Sequence, residues 1–407
     1  MIPLQSRFRA ITVGFCFFVL VATASSAWAA GKPLKVFILA GQSNMQGHAN
    51  VSTFDEMADD PKTAPLLKEM RDKDGKPTVC EKVWITSVGC LGDAYADMKE
   101  QKGKLTAGFG AGGENNIGPE FTFGLTMEKH LKEPVLIIKT SWGGRSLHTD
   151  FLPPSAGPYV WSDYELEQYK DRSDDLKKEK AERERATGMI YREMIAHTKK
   201  VLKDIKRVVP EYDEKQGYEL AGFVWFQGFN DLVSGWTYDK QNQPGGYDLY
   251  AELLGHFIRD VRKDLAAPKL PFVIGVMGID GLKGDKGEMK HFREAQRKAA
   301  ALDEFKGNVV AVETAPFWDD ELGKLQERME NYWPKVDAKV AEEMKQNPKA
   351  DAWENKMKLM SENFTANEWK RLKGVSNGGY HYLGAAKIMA PIGQAFAEAL
   401  VATKPVK

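Results

Sequence analysis

The stretch Leu34-Lys35-Val36-Phe37-Ile38-Leu39-Ala40-Gly41-Gln42-Ser43-Asn44-Met45 decides the fold. Its first seven residues are apolar except for Lys35, and their length and β-branched character predict a strand. Near-continuous hydrophobicity predicts a strand covered on both faces, as in a parallel sheet between helices. Gly41 ends the run, and small polar residues follow, so the chain is expected to turn sharply with Ser43 at the corner. A serine held there projects its hydroxyl and turns its own N–H toward the same point, as a nucleophile requires. The flanking pattern is not Gly-x-Ser-x-Gly, since position 45 is Met. Read alone, Gly-Gln-Ser-Asn is better taken as a polar turn capping the next helix, and only the segments elsewhere in the chain reverse that reading.

Working outward, similar apolar runs recur at 135–139, 222–226, 272–277 and 309–312. Helical patterns at 120–130, 189–206, 247–265 and 290–303 separate them. Five such strands alternating with helices predict a right-handed βαβ series and a doubly wound parallel sheet. Ligands of such sheets sit at the carboxyl ends of the strands. That rule selects 41–47, 140–145, 227–231 and the segment after residue 312. Two charged stretches, around 160–188 and 321–374, read as helical insertions, with Pro334 and Pro348 punctuating the second. Solvated helices with paired charges account for both, although the second precedes a histidine of interest and could overhang the site.

Lys+Arg and Asp+Glu are both 57, a formal net charge of zero, which argues against a nucleic-acid partner. Arg7 and Arg9, an apolar run over 11–22 and Ala27-Trp28-Ala29 form a secretory signal pattern, predicted to end at residue 29. The remainder, 30–407, reads as one domain, secreted or periplasmic, without a membrane anchor once cleaved. Cys80 and Cys90 are left in that compartment, which allows one disulfide or two buried thiols. No His/Asp/Glu set has metal-ligand spacing and no phosphate-cradling loop is present, so neither metal nor cofactor is expected.

Three further segments carry chemistry. Trp225-Phe226-Gln227-Gly228-Phe229-Asn230-Asp231 closes a strand with amide side chains, and Gln227 and Asn230 can donate N–H to an oxyanion without bringing charge. Gly378-Gly379-Tyr380-His381-Tyr382-Leu383-Gly384 precedes the last helical pattern, where His381 can point back as general base. Ser141-Trp142-Gly143-Gly144-Arg145 follows a strand. Gly143 or Gly144 is either a turn needing positive φ or a backbone N–H donor. Arg145 either reaches substrate hydroxyls or pairs with an acid. His48 and His148 are possible pocket-lining residues, and Trp142, Phe229 and Trp236 are possible stacking surfaces.

These blocks resemble the sialate O-acetylesterase and acetylxylan esterase branch of the SGNH hydrolases. Residues 37–47 resemble its opening block, Gly228-Phe229-Asn230-Asp231 its Gly-x-Asn-Asp block, and 380–384 its closing His block; Asn115–Phe121 resembles the start of its second helix. The resemblance implies a three-layer α/β/α, flavodoxin-like fold around a mostly five-stranded parallel sheet. It implies Ser43 as nucleophile, His381 as base, and an oxyanion hole from the Ser43 N–H, Asn230 or Gln227, and one of Gly118, Gly143 or Gly144. The implied reaction is metal-free deacetylation of an oligo- or polysaccharide. The family's acids are missing, because Gly378 stands three residues before His381 and Phe229 replaces a Glu. A Ser–His dyad is one solution. An acid from Asp231, Glu313 or Asp319 is another, and a catalytically weakened glycan binder on the same fold is a third. An SGNH lipase or thioesterase would need an apolar acyl tunnel, which the amide-rich loops do not favour.

Overall fold

The computed structural model describes residues 32–92 and 95–403, so the expected signal peptide, residues 1–29, lies outside the described residues. A seven-stranded sheet forms the centre. Its strands are β1 (Leu34–Gly41), β2 (Val83–Val88), β3 (Gln101–Lys104), β4 (Val135–Ser141), β5 (Tyr218–Phe226), β6 (Phe272–Val276) and β7 (Val309–Glu313). Their order is β3-β2-β4-β1-β5-β6-β7, parallel throughout except for the β2–β3 pair. β1 lies in the middle, between β4 and β5.

Successive strand residues face opposite sides of a sheet, and this separates the helical layers. Phe37 is paired with Gly222 and packs edge-on against Phe123 of the helix Pro119–Leu131. A Cβ at Gly222 would sit 2.6 Å from Leu400, so the C-terminal helix Ala386–Ala402 lies on that side. The next residue, Phe223, packs instead against Phe257 of the helix Asp248–Asp264. Helices therefore cover both faces, which gives the three-layer α/β/α arrangement.

The sheet has two more strands than the five expected. β2 is fully buried, while β3 (Gln-Lys-Gly-Lys) is a short, polar, antiparallel edge that blunts further pairing. In the second insertion the helix Asp320–Gln346 runs through Pro334 rather than stopping there. Val336, Val340 and Met360 form a small apolar cluster of their own, joined by Trp333 and Trp369. This insertion is therefore more than solvated helix. Helix Ser173–Ala186 of the first insertion buries none of its residues. Cys80 and Cys90 are both free and buried, so of the two readings the thiol one holds. Among the described residues no helix is long and apolar enough to cross a membrane.

Candidate active site

Ser43 stands where β1 gives way to a single helical turn, α1 (Ser43–Gln46). The backbone of this corner is clamped from both ends. A Cβ on Gly41 would fall 2.1 Å from the Phe226 carbonyl oxygen, so the approach of β5 requires glycine. Gly47 has φ +83° and would place a Cβ 2.0 Å from the Cα of Gly118. Beneath the turn, the fully buried Lys139 donates to the Gln46 carbonyl at 2.7 Å, the Phe109 carbonyl at 2.8 Å and Glu120 at 2.7 Å. All three ammonium protons are thus used, which makes burial of this charge tolerable.

Ser43, Gly143, Gly144, Asn230 and His381 line one cavity of about 420 Å³. Three strand ends and the loop before the C-terminal helix thereby converge, as the doubly wound topology requires. Asn230 is oriented by Gln42. The Gln42 Nε2 donates to Asn230 Oδ1 at 2.9 Å, and Gln42 Oε1 accepts from the N–H groups of Gly228 (3.1 Å) and Asn230 (3.3 Å). With its oxygen held by Gln42, Asn230 keeps its NH2 for the cavity.

His381 is fixed by Asn377. Nδ1–H donates to Asn377 Oδ1 at 2.8 Å, and the same oxygen accepts the Gly378 N–H at 2.8 Å. This tautomer leaves the Nε2 lone pair unprotonated and without a protein partner. The imidazole of His48 stacks on that of His381, 3.7 Å between centroids and 4° from parallel. Burial, aided by the neighbouring His48, pushes His381 from 6.5 down to about 3. Burial and then the Lys139 charge push His48 down to about 4. Both rings are neutral at physiological pH, and His381 is in the state a base requires.

The loop carrying His381 is over-determined. Tyr382 and Leu383 take left-handed φ values of +52° and +62°, costly for non-glycine residues. The strain is held by the buried Tyr382 hydroxyl, 2.8 Å from the Gly278 N–H and 2.7 Å from Thr314 Oγ1, and by the Ser376 and Asn377 N–H groups on the Leu383 carbonyl. Asn44 ties the serine turn to this loop by donating to the Tyr380 carbonyl at 3.2 Å.

Several expected site residues are placed elsewhere. The Gln227 amide does not face the cavity: its two N–H protons are shared among Gln42 Oε1, the Arg145 carbonyl and Asp231 Oδ2, at 3.0, 3.0 and 2.6 Å. It braces the site rather than donating to an oxyanion. Asp231 is wholly buried and does not reach His381. It accepts from His148 Nδ1 (2.9 Å), the Leu147 N–H (2.8 Å) and the Tyr238 hydroxyl (2.8 Å). Burial alone would raise its carboxyl, but His148, the Leu147 N–H and Gln227 outweigh that and hold it below the usual range. Glu313 forms a two-point pair with Arg297, and Asp319 caps a helix while pairing with Lys387 and Arg371. The Gly118 N–H is taken by Glu120 at 2.9 Å, so Gly118 is not an oxyanion donor. Trp142 and Phe229 line the cavity, whereas Trp236 is half exposed outside it. Asn377, Gln42 and the Lys139–Glu120 pair were not anticipated. A lysine ending a buried apolar strand was itself the signal for an acidic partner nearby.

The scaffold and cavity define an α/β/α protein whose cavity opens at the carboxyl ends of the central strands. The chain belongs to the carbohydrate esterase family described as sialic acid-specific acetylesterase, whose family model matches residues 33–322. The match ends before the His381 segment. Among solved structures, the chain is similar to a protein from Arabidopsis thaliana, with 17% identity and a TM-score of 0.38 over 69% of this chain and 86% of that one. It is also similar to a carbohydrate acetylesterase from Xanthomonas citri, with 16% identity and a TM-score of 0.41 over 70% of this chain and 51% of that one, about half its length. No curated protein matches. Among the described residues no group of three His, Cys, Asp or Glu is placed to hold a metal ion.

Proposed function

We propose that this protein is a serine esterase that removes O-acetyl groups from carbohydrate, exported by its N-terminal segment to the periplasm or medium. The observation that carries this reading is the convergence in one cavity of Ser43, a neutral His381 whose Nδ1–H is held by Asn377, and an Asn230 amide with its NH2 free. Family membership supplies the carbohydrate ester as substrate class.

The reaction runs in two steps. His381 Nε2 takes the Ser43 proton as Oγ bonds to the acetyl carbonyl carbon, and the carbonyl oxygen becomes an oxyanion. The Ser43 N–H, the Asn230 NH2 and the N–H of Gly143 or Gly144 stabilise that charge. The bond to the sugar oxygen then breaks, and His381 returns the proton to it, leaving acetyl-Ser43. Water, deprotonated by His381, attacks this ester; the bond from Ser43 Oγ to the acyl carbon breaks, His381 returns the proton to Oγ, and acetic acid leaves and ionises to acetate. Asn377 takes the place of the usual acid: its Oδ1 fixes the tautomer but adds no negative charge to stabilise an imidazolium. The Ser43 hydroxyl and His381 are not hydrogen bonded to each other, and such contacts commonly close only around substrate.

The test is acetate release from acetylated xylan and from acetylated sialoside, with p-nitrophenyl acetate and butyrate alongside. The proposal expects turnover of an acetylated sugar and a sharp drop in rate from acetyl to butyryl. Preference for the longer acyl chain would identify a lipase-like enzyme instead.

A further inference from the structure

A second cavity of about 370 Å³ adjoins the first, and Gly144 and Asn230 line both. Its far wall is the helix Ser173–Ala186, through Glu179, Glu182, Arg183 and Ala186. These positions recur at three- and four-residue intervals, so they form one face of the helix. That face has no core to cover, since the helix buries none of its residues. Arg183 is braced from behind: its guanidinium lies 4.8 Å over the Tyr159 ring and donates to Glu179 at 2.9 Å.

At the junction of the two cavities stands Arg145. Its guanidinium lies 3.9 Å over the ring of Tyr95, which lines the second cavity, while Arg145 itself lines the first. Asp150 approaches it only to 4.0 Å, and its buried Nε has no hydrogen-bond partner. The side chain is only partly buried, and no side chain closes on its outer N–H groups, so the guanidinium is suited to a ligand bearing oxygen acceptors. The wall opposite offers two carboxylates and a second guanidinium, which together accept from and donate to hydroxyl groups. Tyr95 adds an aromatic ring to this lining, a surface on which a sugar face can stack.

We infer that the second cavity is a sugar subsite, with helix Ser173–Ala186 as its wall, and that the substrate is an oligosaccharide spanning both cavities. This rests on the proposed function: the acetylated residue occupies the Ser43 cavity and the next sugar lies against Glu182 and Arg183.

Two measurements on the full chain test it. In the first, kcat/KM is compared for acetylated methyl glycosides of xylose, glucose, galactose and N-acetylneuraminate. The best is then extended to its acetylated di- and trisaccharide. The inference expects a rise of about tenfold or more from one sugar to two, and Ala186→Trp, which fills the subsite, should flatten that rise. In the second, binding of the same unacetylated mono-, di- and trisaccharides to Ser43→Ala is measured by calorimetry. Tighter binding of the disaccharide, lost in Ala186→Trp, supports the subsite even if no ester is turned over, which would sink only the proposed reaction. Equal kcat/KM and equal affinity across chain lengths, or a length dependence that survives Ala186→Trp, would overturn the inference.

Discussion

Asn377 Oδ1 lies 2.8 Å from Nδ1 of His381, at the ring nitrogen that a carboxylate meets in a catalytic triad. An amide oxygen orients the imidazole and fixes its tautomer but cannot balance the imidazolium charge. Asn377→Ala should therefore lower kcat by about 10²-fold through lost orientation, with KM nearly unchanged. Asn377→Asp keeps the acceptor and adds a negative charge, which favours imidazolium and raises the His381 pKa. Its acid limb in a kcat/KM–pH profile should move toward neutrality. An unmoved limb in Asn377→Asp would show that Asn377 is not the residue that sets the base.

The pH dependence of the wild type follows from the same ring. His381 is held at about 3, and activity requires it unprotonated. The plateau of kcat/KM should persist well below pH 6.5 and fail only as pH drops toward 3. An acid limb near 6.5 would contradict this.

Stability should respond in a related window. His48 and His381 bind protons less readily in the folded chain, at about 4 and about 3, than their ordinary value of 6.5. The unfolded state therefore holds more protons below pH 6.5, and stability, complete above that value, is lost as pH falls through it. The buried His197, also held at about 4, acts in the same direction, so urea midpoints at pH 7.5 and 5.5 should differ more for wild type than for His48→Phe, which removes one of these rings.

Beneath the serine turn, the Lys139–Glu120 pair is fully buried. Removing one partner strands the other charge, so Lys139→Met or Glu120→Gln should cost about 3–5 kcal/mol. In the double replacement Lys139→Met/Glu120→Gln, part of that loss should return. Chemical denaturation of the three variants measures this directly.

The sheet was legible in the sequence because its buried strands carry unbroken apolar runs; 34–40 and 135–139 could be read without context. β2 was not, since Val-Trp-Ile-Thr-Ser-Val mixes polar and apolar residues, and only burial of Thr86 and Ser87 in the sheet reveals it. That Ser43, Asn230 and His381 meet at one cavity was legible because each lies close to glycines at a strand end or helix start. The remaining roles depended on side-chain direction, which sequence does not carry. Asp231 appeared suitable as an acid but turns toward His148, Gln227 is consumed by its neighbours, and Asn377 acts from four residues before His381. A search for an acid passes over an amide.

Asn230 should contribute chiefly in the transition state. With its oxygen held by Gln42, its NH2 is the only side-chain amide proposed to meet the oxyanion. Asn230→Ala should cost about 10²–10³ in kcat with little change in KM. An equal loss appearing only in KM would place Asn230 in ground-state binding instead.

The central claim is that Ser43 is the nucleophile, and turnover by Ser43→Ala tests it most directly. Initial rates of acetate release from p-nitrophenyl acetate and acetylated xylan should fall about 10³-fold or more relative to wild type, while the circular dichroism spectrum is unchanged. Wild-type rates in a folded Ser43→Ala protein would contradict the account.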